Sequence, residues 1–321
     1  MAPMILSKPA QAGFVMKRRL SALAVFAALG SMAAIADTPT VVVAQGGVAR
    51  WAGLAAAECG LHGKRYPAVD AVCYYPVDLH AKPGMHEIAL YDQDKKQHLG
   101  ALTVEAVSFP QVDIALPDDT YVHVSAENLS RHRAERKRVL ALFKQDLGPV
   151  QFSLPLAQPA ASMPASENDF GSNRLFNGIR KSQHTGRDAP VALGSAVKAV
   201  ANGKVVLAED QFFTGNSVFV DHGGGLISMN FHMGELTVAT GDDVKRGDTL
   251  GKVGSSGRST GAHLHLGMRW LGARIDPYLL LDSPSKLPSI GDSPRKAEAK
   301  TDVAREKEPE EVDDTGIAPK Q

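Results

Sequence analysis

The sequence predicts a mainly β protein in which two β domains are joined by one helix. Short runs of alternating apolar and polar residues, separated by Gly and Pro, fill residues 37–125 and again 170–282. One segment between them, from Glu127 to Asp146, lacks both Gly and Pro. Alternation with a period of two is typical of strands that bury one face, whereas a long segment free of Gly and Pro favours a helix.

Composition narrows the class of protein. The chain has 321 residues, with 35 Lys and Arg against 35 Asp and Glu, so its formal net charge is +0 at pH 7. A chain of this length accommodates about two domains of ~100–200 residues each. Because nucleic-acid-binding proteins usually carry a basic excess, the charge balance argues against a nucleic-acid partner.

Residues 1–36 have the layout of a secretory signal peptide. A basic cluster at residues 17–19 precedes an apolar run from Leu20 to Leu29, and Ala34-Ile35-Ala36 supplies a small-residue cleavage pattern. The apolar run is shorter than the ~20 residues of a membrane-spanning helix, so we expect cleavage and no stable membrane anchor. The mature protein is therefore expected to be exported.

Export affects the interpretation of Cys59 and Cys73, the two cysteines of the chain. In an oxidising compartment two such residues most simply form a disulfide bond. A zinc pair and a reactive thiol are the alternatives. Neither gains support from the sequence, because the cysteines form no Cys-x-x-Cys motif and have no histidine cluster nearby.

The alternating runs of residues 37–125 predict an immunoglobulin-like, antiparallel β-sandwich. Its expected strands include the runs Met85 to Tyr91, Leu99 to Val107 and Val112 to Leu116. Residues 126–169 are predicted to form a connector helix, capped by Ser125 or Asn128, and an extended proline-containing linker. The basic residues of this helix indicate a solvated face, with contact to an anionic polymer as the alternative.

Residues 170–282 are predicted to form an all-β, antiparallel domain. Asn202-Gly203 stands between two β-rich runs and predicts a hairpin, and Gly223-Gly224-Gly225 predicts a turn between two further strands. His222, next to this turn, is interpreted as a turn residue. From residue 283 to 321 the chain is rich in Ser, Pro and charged residues, which predicts a disordered tail.

Four histidines of the second β domain form a pattern with chemical meaning. His184 and Asp188 flank a glycine, and His263-x-His265 lies in a predicted strand, so that His263 and His265 project from the same face. Two imidazoles with a further His and Asp suit a zinc site that keeps one position open. Each element alone is more often a surface feature or a chance spacing. Together with His232, at the end of another strand, they favour a metal site.

These motifs resemble the lysostaphin/LytM-type zinc metallopeptidases, which hydrolyse peptide cross-links of bacterial peptidoglycan. The resemblance covers roughly residues 170–281, and the amino-terminal region resembles that of exported members more loosely. The matching elements are His184-x-x-x-Asp188, Met229-Asn230-Phe231-His232, the glycine-rich segment Gly254 to Gly261, His263-Leu264-His265, and the lead-in Phe170-Gly171-Ser172 with Phe176-Asn177-Gly178.

The resemblance implies that His184, Asp188 and His265 bind Zn²⁺ and leave a fourth position for water or the scissile carbonyl. It also implies that His232 and His263 are catalytic, one as general base and the other as stabiliser of the tetrahedral intermediate. The sequence does not assign the two roles between them.

The chain departs from the family pattern at two positions. Asn230 stands where the family often has Tyr, and Ala262 stands where it commonly has Pro. Neither change removes a ligand, but Asn230 is expected to alter a substrate contact or transition-state stabilisation. Trp51 and Trp270 are interpreted as packing residues, with sugar stacking as the alternative.

The resemblance therefore implies an exported zinc metalloendopeptidase that acts on peptidoglycan cross-links and works in the periplasm. Secretion or wall association is the alternative location. The expected bond is D-alanyl–diaminopimelate, and a glycyl–glycine bridge remains open. The alternative function is a non-catalytic regulator that activates a cell-wall amidase or binds the wall, and a regulatory protein partner is compatible with either function.

Overall fold

The computed structural model describes residues 38–161, 163 and 169–291. The predicted signal peptide and most of the predicted tail lie outside the described residues. The mainly β fold class is confirmed, since strands dominate both predicted domains. Within the part of the chain that is described, no helix has the length and apolar character that crossing a membrane requires.

The amino-terminal domain consists of two facing sheets that enclose a core of Trp51, Tyr75, Ile88, Leu90 and Leu102. Its strands are β1 Thr40–Ala44, β2 Val48–Trp51, β3 Ala56–Leu61, β4 Lys64–Pro67, β5 Cys73–Pro76, β6 Gly84–Asp92 and β7 Gln97–Glu105. One sheet has the order β1-β7-β6-β3-β4, and β2 pairs with β5 in the other. The sandwich departs from the antiparallel expectation at β1, which runs parallel to β7.

The predicted disulfide bond is confirmed. Cys59 of β3 and Cys73 of β5 are bonded, with their Cα atoms 5.4 Å apart. Both cysteines are buried in the core of the sandwich. Because the two strands belong to different sheets, the bond links the two layers of the domain.

The run Val112 to Leu116, expected in the sandwich, pairs elsewhere. Strand β8 Gln111–Ile114 lies parallel to β9 Asn173–Phe176, which pairs in turn with β10 Arg180–Gln183. The reason is apolar burial, since Ile114 and Leu116 pack with Phe176 in a small separate cluster. This segment is therefore joined to the predicted catalytic domain.

Helix α1 Ala126–Leu142 is shorter than the predicted segment and packs against the second domain. Ser125 caps it, because its hydroxyl accepts a hydrogen bond from Asn128 N over 3.2 Å. Val139 and Leu142 pack on Leu207, Phe219, Ile227 and Met229 of the neighbouring sheet. The chain that follows also lies on this domain, where Phe152 and Leu156 are buried.

The carboxy-terminal domain is built on one antiparallel sheet with the order β11-β18-β15-β14-β13-β16, to which β12, β17 and β19 are added. Its elements are β11 Gly186–Ala189, β12 Ala196–Lys198, β13 Gly203–Gln211, β14 Gly215–Asp221, β15 Leu226–Leu236, β16 Asp243–Val244, β17 Thr249–Val253, β18 Leu264–Trp270, β19 Ala273–Ile275 and α2 Tyr278–Leu281. The turn at Gly223–Gly225 joins β14 to β15 as predicted.

The prediction of a hairpin at Asn202-Gly203 is wrong. Strand β12 pairs with β17, and β13 pairs with β14 and β16. Between the two strands Val200 and Ala201 are buried in the core. Asn202 has a different role, because its side-chain oxygen accepts from Arg246 N and its carbonyl oxygen lies 2.7 Å from His222 Nδ1.

The prediction that residues 283–321 form a disordered tail is wrong for its first residues, which form regular structure. Residues Pro284–Lys286 form a 3₁₀ turn, and strand β20 Ser289–Ile290 runs parallel to β2 of the sandwich. Leu287 and Ile290 are buried there, which gives this short segment the apolar anchors that the composition of the tail as a whole lacks. Trp51 and Trp270 are buried too, so both are packing residues.

Candidate metal centre and catalytic groove

Three predicted ligands converge where β11 and β18 pair. Asp188 lies directly opposite His265 in the register of these strands, and His184 stands two residues before β11. Asp188 Oδ1 is 2.8 Å from His265 Nδ1 and 3.1 Å from His184 Nε2, and the two nitrogens are 3.0 Å apart. The three atoms form a nearly equilateral triangle.

This triangle fits a zinc ion. Zinc bonds of ~2.0–2.2 Å in a tetrahedron place the ligand atoms ~3.3–3.6 Å apart. The observed separations of 2.8, 3.0 and 3.1 Å are a few tenths of an ångström shorter, so a small outward movement of the side chains would admit the ion. The set of two imidazoles and one carboxylate is also a set that catalytic zinc sites use, with the fourth position left open. His184, Asp188 and His265 are therefore suited to hold one metal ion.

Local packing aims each ring at the same point. His184 Nδ1 lies 3.1 Å from the carbonyl oxygen of Asp169, so Nδ1–H donates there and Nε2 is directed to the cluster. The ring of Phe231 stacks on that of His265, with the centroids 4.9 Å apart and the planes 8° from parallel. Gly186 leaves the space that His265 occupies, since a Cβ there would lie 2.5 Å from His265 Nε2.

Electrostatics favours the protonation states that a metal site needs in Asp188 and His265. His184 differs, because, although burial opposes it, hydrogen bonds with Asp169 and Asp188 raise its pKa. Although burial opposes it, hydrogen bonds from His184 and His265 hold the pKa of Asp188 well below its usual range. Burial lowers the pKa of His265 to about 4, against the attraction of Asp188. At neutral pH the carboxyl group is thus ionised and the His265 imidazole is neutral, as ligands must be.

His232 and His263 lie beside the cluster in matching orientations. His232 Nδ1 is 2.8 Å from the carbonyl oxygen of Ser256, and His263 Nδ1 is 2.8 Å from that of Gly261. Each Nδ1–H therefore donates to the backbone, which leaves Nε2 as the nitrogen available to the groove. The two ring centroids are 5.0 Å apart, and His263 Nε2 is 3.6 Å from Asp188 Oδ1.

His232 is held in an uncommon backbone conformation. Its φ angle is +59°, in the left-handed region that side-chain-bearing residues seldom adopt. Burial, followed by the proximity of His265 and His263, lowers the pKa of His232 to about 3. Its imidazole is therefore neutral at neutral pH, and Nε2, the nitrogen that carries no proton, is a hydrogen-bond acceptor.

Comparison with known proteins is consistent with this geometry. Residues 182–277 match the model of Peptidase family M23. This segment is an M23 peptidase domain. This chain is also similar to a crystal structure from Pseudomonas aeruginosa that is described as a putative peptidase M23. The two sequences are 29% identical, the match covers 74% of this chain and 94% of the Pseudomonas chain, and the TM-score is 0.56.

Two curated relatives match over shorter segments. The peptidoglycan DD-endopeptidase ShyA of Vibrio cholerae is 28% identical over 151 residues, which are 47% of this chain and 34% of ShyA. The DD-carboxypeptidase/endopeptidase Mpg of Neisseria meningitidis is 36% identical over 94 residues, which are 29% of this chain and 22% of Mpg. The chain thus matches about a third or less of the length of these relatives.

A cavity of about 380 Å³ opens over the five predicted residues of the M23 domain. One wall is apolar and includes Ile114, Leu116, Phe176 and Phe213. Arg258 lies in the same wall, with its guanidinium carbon 4.0 Å from the ring centroid of Phe176 and 4.8 Å from that of Phe213. The groove therefore combines a floor of candidate metal ligands with an apolar and cationic wall.

Two other residues singled out in the sequence lie away from this groove. His222 is completely buried and bridges Asn202 and Ser228, so its role is structural. Asn230 is also completely buried, and its amide atoms have no hydrogen-bond partner among the described residues. The expected change in a substrate contact at Asn230 finds no support, because its side chain does not line the cavity.

Sequence reasoning missed the residues that hold the candidate ligands and His232 in place. Arg174 contacts Asp188, Asp169 contacts His184, and the Ser256 carbonyl contacts His232. No spacing rule would have found them, because each reaches its partner only through the fold. Arg174 stands between the two lead-in motifs, and that position in the sequence is the one available signal.

Proposed function

We propose that the chain is a zinc-dependent metalloendopeptidase that hydrolyses peptide cross-links of bacterial peptidoglycan. The observation that carries the proposal is the convergence of five side chains in one groove. His184, Asp188 and His265 form a triangle suited to zinc, and His232 and His263 present a ring nitrogen beside it. The names of the matched relatives, which describe peptidoglycan peptidases, support the substrate class.

In this proposal the three ligand residues hold the ion, which when bound supplies Lewis acidity and lowers the pKa of a bound water to about 7. His232 and His263 act on the substrate and water around it. Each can accept a proton at Nε2, and can donate from Nε2 once it is protonated, because its Nδ1–H is already committed to a backbone carbonyl. One therefore accepts the proton of the attacking water at Nε2, and the other, in its protonated form, donates a hydrogen bond from Nε2 to the developing oxyanion.

The groove wall suits a peptide that carries carboxylates. Arg258 offers a positive charge beside the apolar surface of Phe176 and Phe213. Stem peptides of peptidoglycan combine small apolar residues with free carboxyl groups. The predicted signal peptide supports work outside the cytoplasm, with the periplasm as the proposed location and D-alanyl–diaminopimelate as the proposed bond.

The decisive experiment is muropeptide analysis of purified sacculi after incubation with the mature protein. Loss of cross-linked dimers that stops on chelation and returns with zinc is the expected result. His265→Ala should lose both metal and cleavage, whereas His232→Ala should keep the metal and lose about 10²–10⁴-fold in rate. His123→Ala, which changes an exposed histidine just before helix α1, is the matched control.

Cleavage that persists without metal, or normal turnover by His265→Ala, would refute the proposal. A folded, zinc-loaded protein that leaves sacculi unchanged would also refute it. That last outcome would favour the regulator, which a cell-wall amidase assay with and without the protein would then test.

A further inference from the structure

We propose that Arg174 is a positioning residue that makes Asp188 a metal ligand through one oxygen only. The inference rests on the proposed metal centre and assigns a role to a residue outside the five predicted ones. Arg174 lies on β9, in the small sheet that precedes the M23 ligands, and its side chain is largely buried.

The two carboxylate oxygens of Asp188 face different partners. Oδ2 accepts a hydrogen bond from Arg174 Nη2 over 2.6 Å, while Oδ1 faces His265 Nδ1 and His184 Nε2. A charge-assisted bond of this length holds the carboxylate plane in one orientation. Oδ2 is thereby occupied, and Oδ1 remains the atom directed at the ligand triangle.

The same guanidinium nitrogen also contacts the group behind His184. Arg174 Nη2 is 3.1 Å from Asp169 Oδ2, and His184 Nδ1 lies 3.1 Å from that same oxygen. Asp169 therefore connects Arg174 to the first ligand while Asp188 connects it to the second. One cation fixes the orientation of two of the three ligands.

The local charge balance explains why a cation is needed at this position. Asp169 and Asp188 bring two negative charges close together behind the cluster, and Arg174 contributes one positive charge between them. Without Arg174 the carboxylates would repel each other, and Asp188 would be able to turn both oxygens toward a metal ion. The expected consequence is a change in coordination geometry as well as in affinity.

Cobalt substitution reports on that geometry directly, because the visible absorption of Co²⁺ depends on the number and arrangement of its ligands. The experiment compares the full mature chain with Arg174→Gln, which removes the charge, and Arg174→Lys, which keeps it. Arg138→Gln removes an arginine from a surface ion pair with Glu209 and is the matched control. Zinc affinity is measured by competition with a chromophoric chelator, and thermal unfolding of each metal-free protein measures stability.

We expect Arg174→Gln to weaken zinc binding by about 10–100-fold and to change the Co²⁺ spectrum, with partial recovery in Arg174→Lys and no change in Arg138→Gln. A Co²⁺ spectrum and zinc affinity equal to those of the unaltered protein in both Arg174 variants would overturn the inference. So would an unaltered spectrum accompanied by lower metal-free stability, since that pattern indicates a structural role alone. If Arg174→Gln does not fold, the spectrum of Arg174→Lys decides.

The outcomes also separate this inference from the proposed function. If the unaltered protein binds no zinc, the proposed function fails. If it binds zinc and cleaves sacculi but is insensitive to Arg174, the role of Arg174 fails alone.

Discussion

Replacing Gly186 with alanine is expected to weaken metal binding, because the added methyl group would press on a ligand ring. An ideal Cβ at this position lies 2.5 Å from His265 Nε2, 2.8 Å from His265 Cε1 and 2.5 Å from the carbonyl oxygen of Leu266. Unstrained contacts need ~3.5 Å, so the His265 ring or the backbone of β11 must move by roughly 1 Å. Metal–ligand distances tolerate only about 0.2 Å.

The expected loss in zinc affinity for Gly186→Ala is at least about tenfold, comparable to the loss of a residue that orients a ligand. Overpacking should also lower the free energy of unfolding by ~1–3 kcal/mol. Competition with a chromophoric chelator measures the first quantity, and urea denaturation of the metal-free protein measures the second. Sacculus cleavage at limiting zinc should fall in parallel with affinity.

The matched control is Gly148→Ala in the segment after helix α1. A Cβ at Gly148 meets its nearest atom, Gly223 Cα, at 4.0 Å, which is an ordinary contact. This variant should bind zinc as the unaltered protein does. Unchanged zinc affinity in Gly186→Ala would refute the reasoning, because it would show that β11 moves away from His265 without disturbing the ligand triangle.

Three further predictions concern stability. Burial lowers the pKa of His222 to about 4, so below its ordinary value the unfolded chain binds a proton that the folded chain does not. The free energy of unfolding of the metal-free protein should therefore fall from pH 6.5 to pH 4. His222→Gln should reduce this slope in urea denaturation without removing it, because the pKa values of His232 and His265 are also lowered. An equal slope in the variant would contradict the assignment. Asn230→Leu keeps the branching of the side chain and removes two buried polar atoms that lack partners among the described residues. The temperature of thermal unfolding should therefore rise, by an amount equivalent to ~1–3 kcal/mol in the free energy of unfolding. A lower unfolding temperature would disprove this. Replacing Cys59 and Cys73 together by serine opens a loop with a sequence separation of 14. This change should lower the free energy of unfolding by about 3 kcal/mol. An unchanged midpoint in urea denaturation would argue against that loss.

The sequence was informative about the site because several of the candidate residues stand close together in the chain, as short motifs of metal-ligating residue types. Histidines two residues apart on a strand share a face whatever the rest of the fold does, so His263 and His265 were predictable from local geometry. His184 and Asp188 are also close in the chain. The structure brings both pairs together with His232, although their roles in catalysis stay predictions.

Prediction failed where partners are distant in the chain. Asn202-Gly203 is a strong local signal for a hairpin, yet β12 pairs with β17 because burial of the core overrides the turn preference. Strand β8 is recognisable by its alternation, but its pairing with β9 depends on the apolar cluster with Phe176. Leu287 and Ile290 likewise look like isolated apolar residues in a polar tail until the sandwich provides their contacts.

The sequence by itself indicated the mainly β class through its alternating residue pattern, and it favoured a bond between the two cysteines. It also singled out the candidate ligands, through their motifs and the family that these motifs resemble. Only the tertiary structure decided which strands pair and which residues hold the ligands in place. Arg174, Asp169 and the Ser256 carbonyl lie in or beside segments that resemble the family, but nothing in the sequence shows which candidate residue each one contacts. Their contribution is one of orientation, and orientation is set by long-range packing that no local pattern encodes.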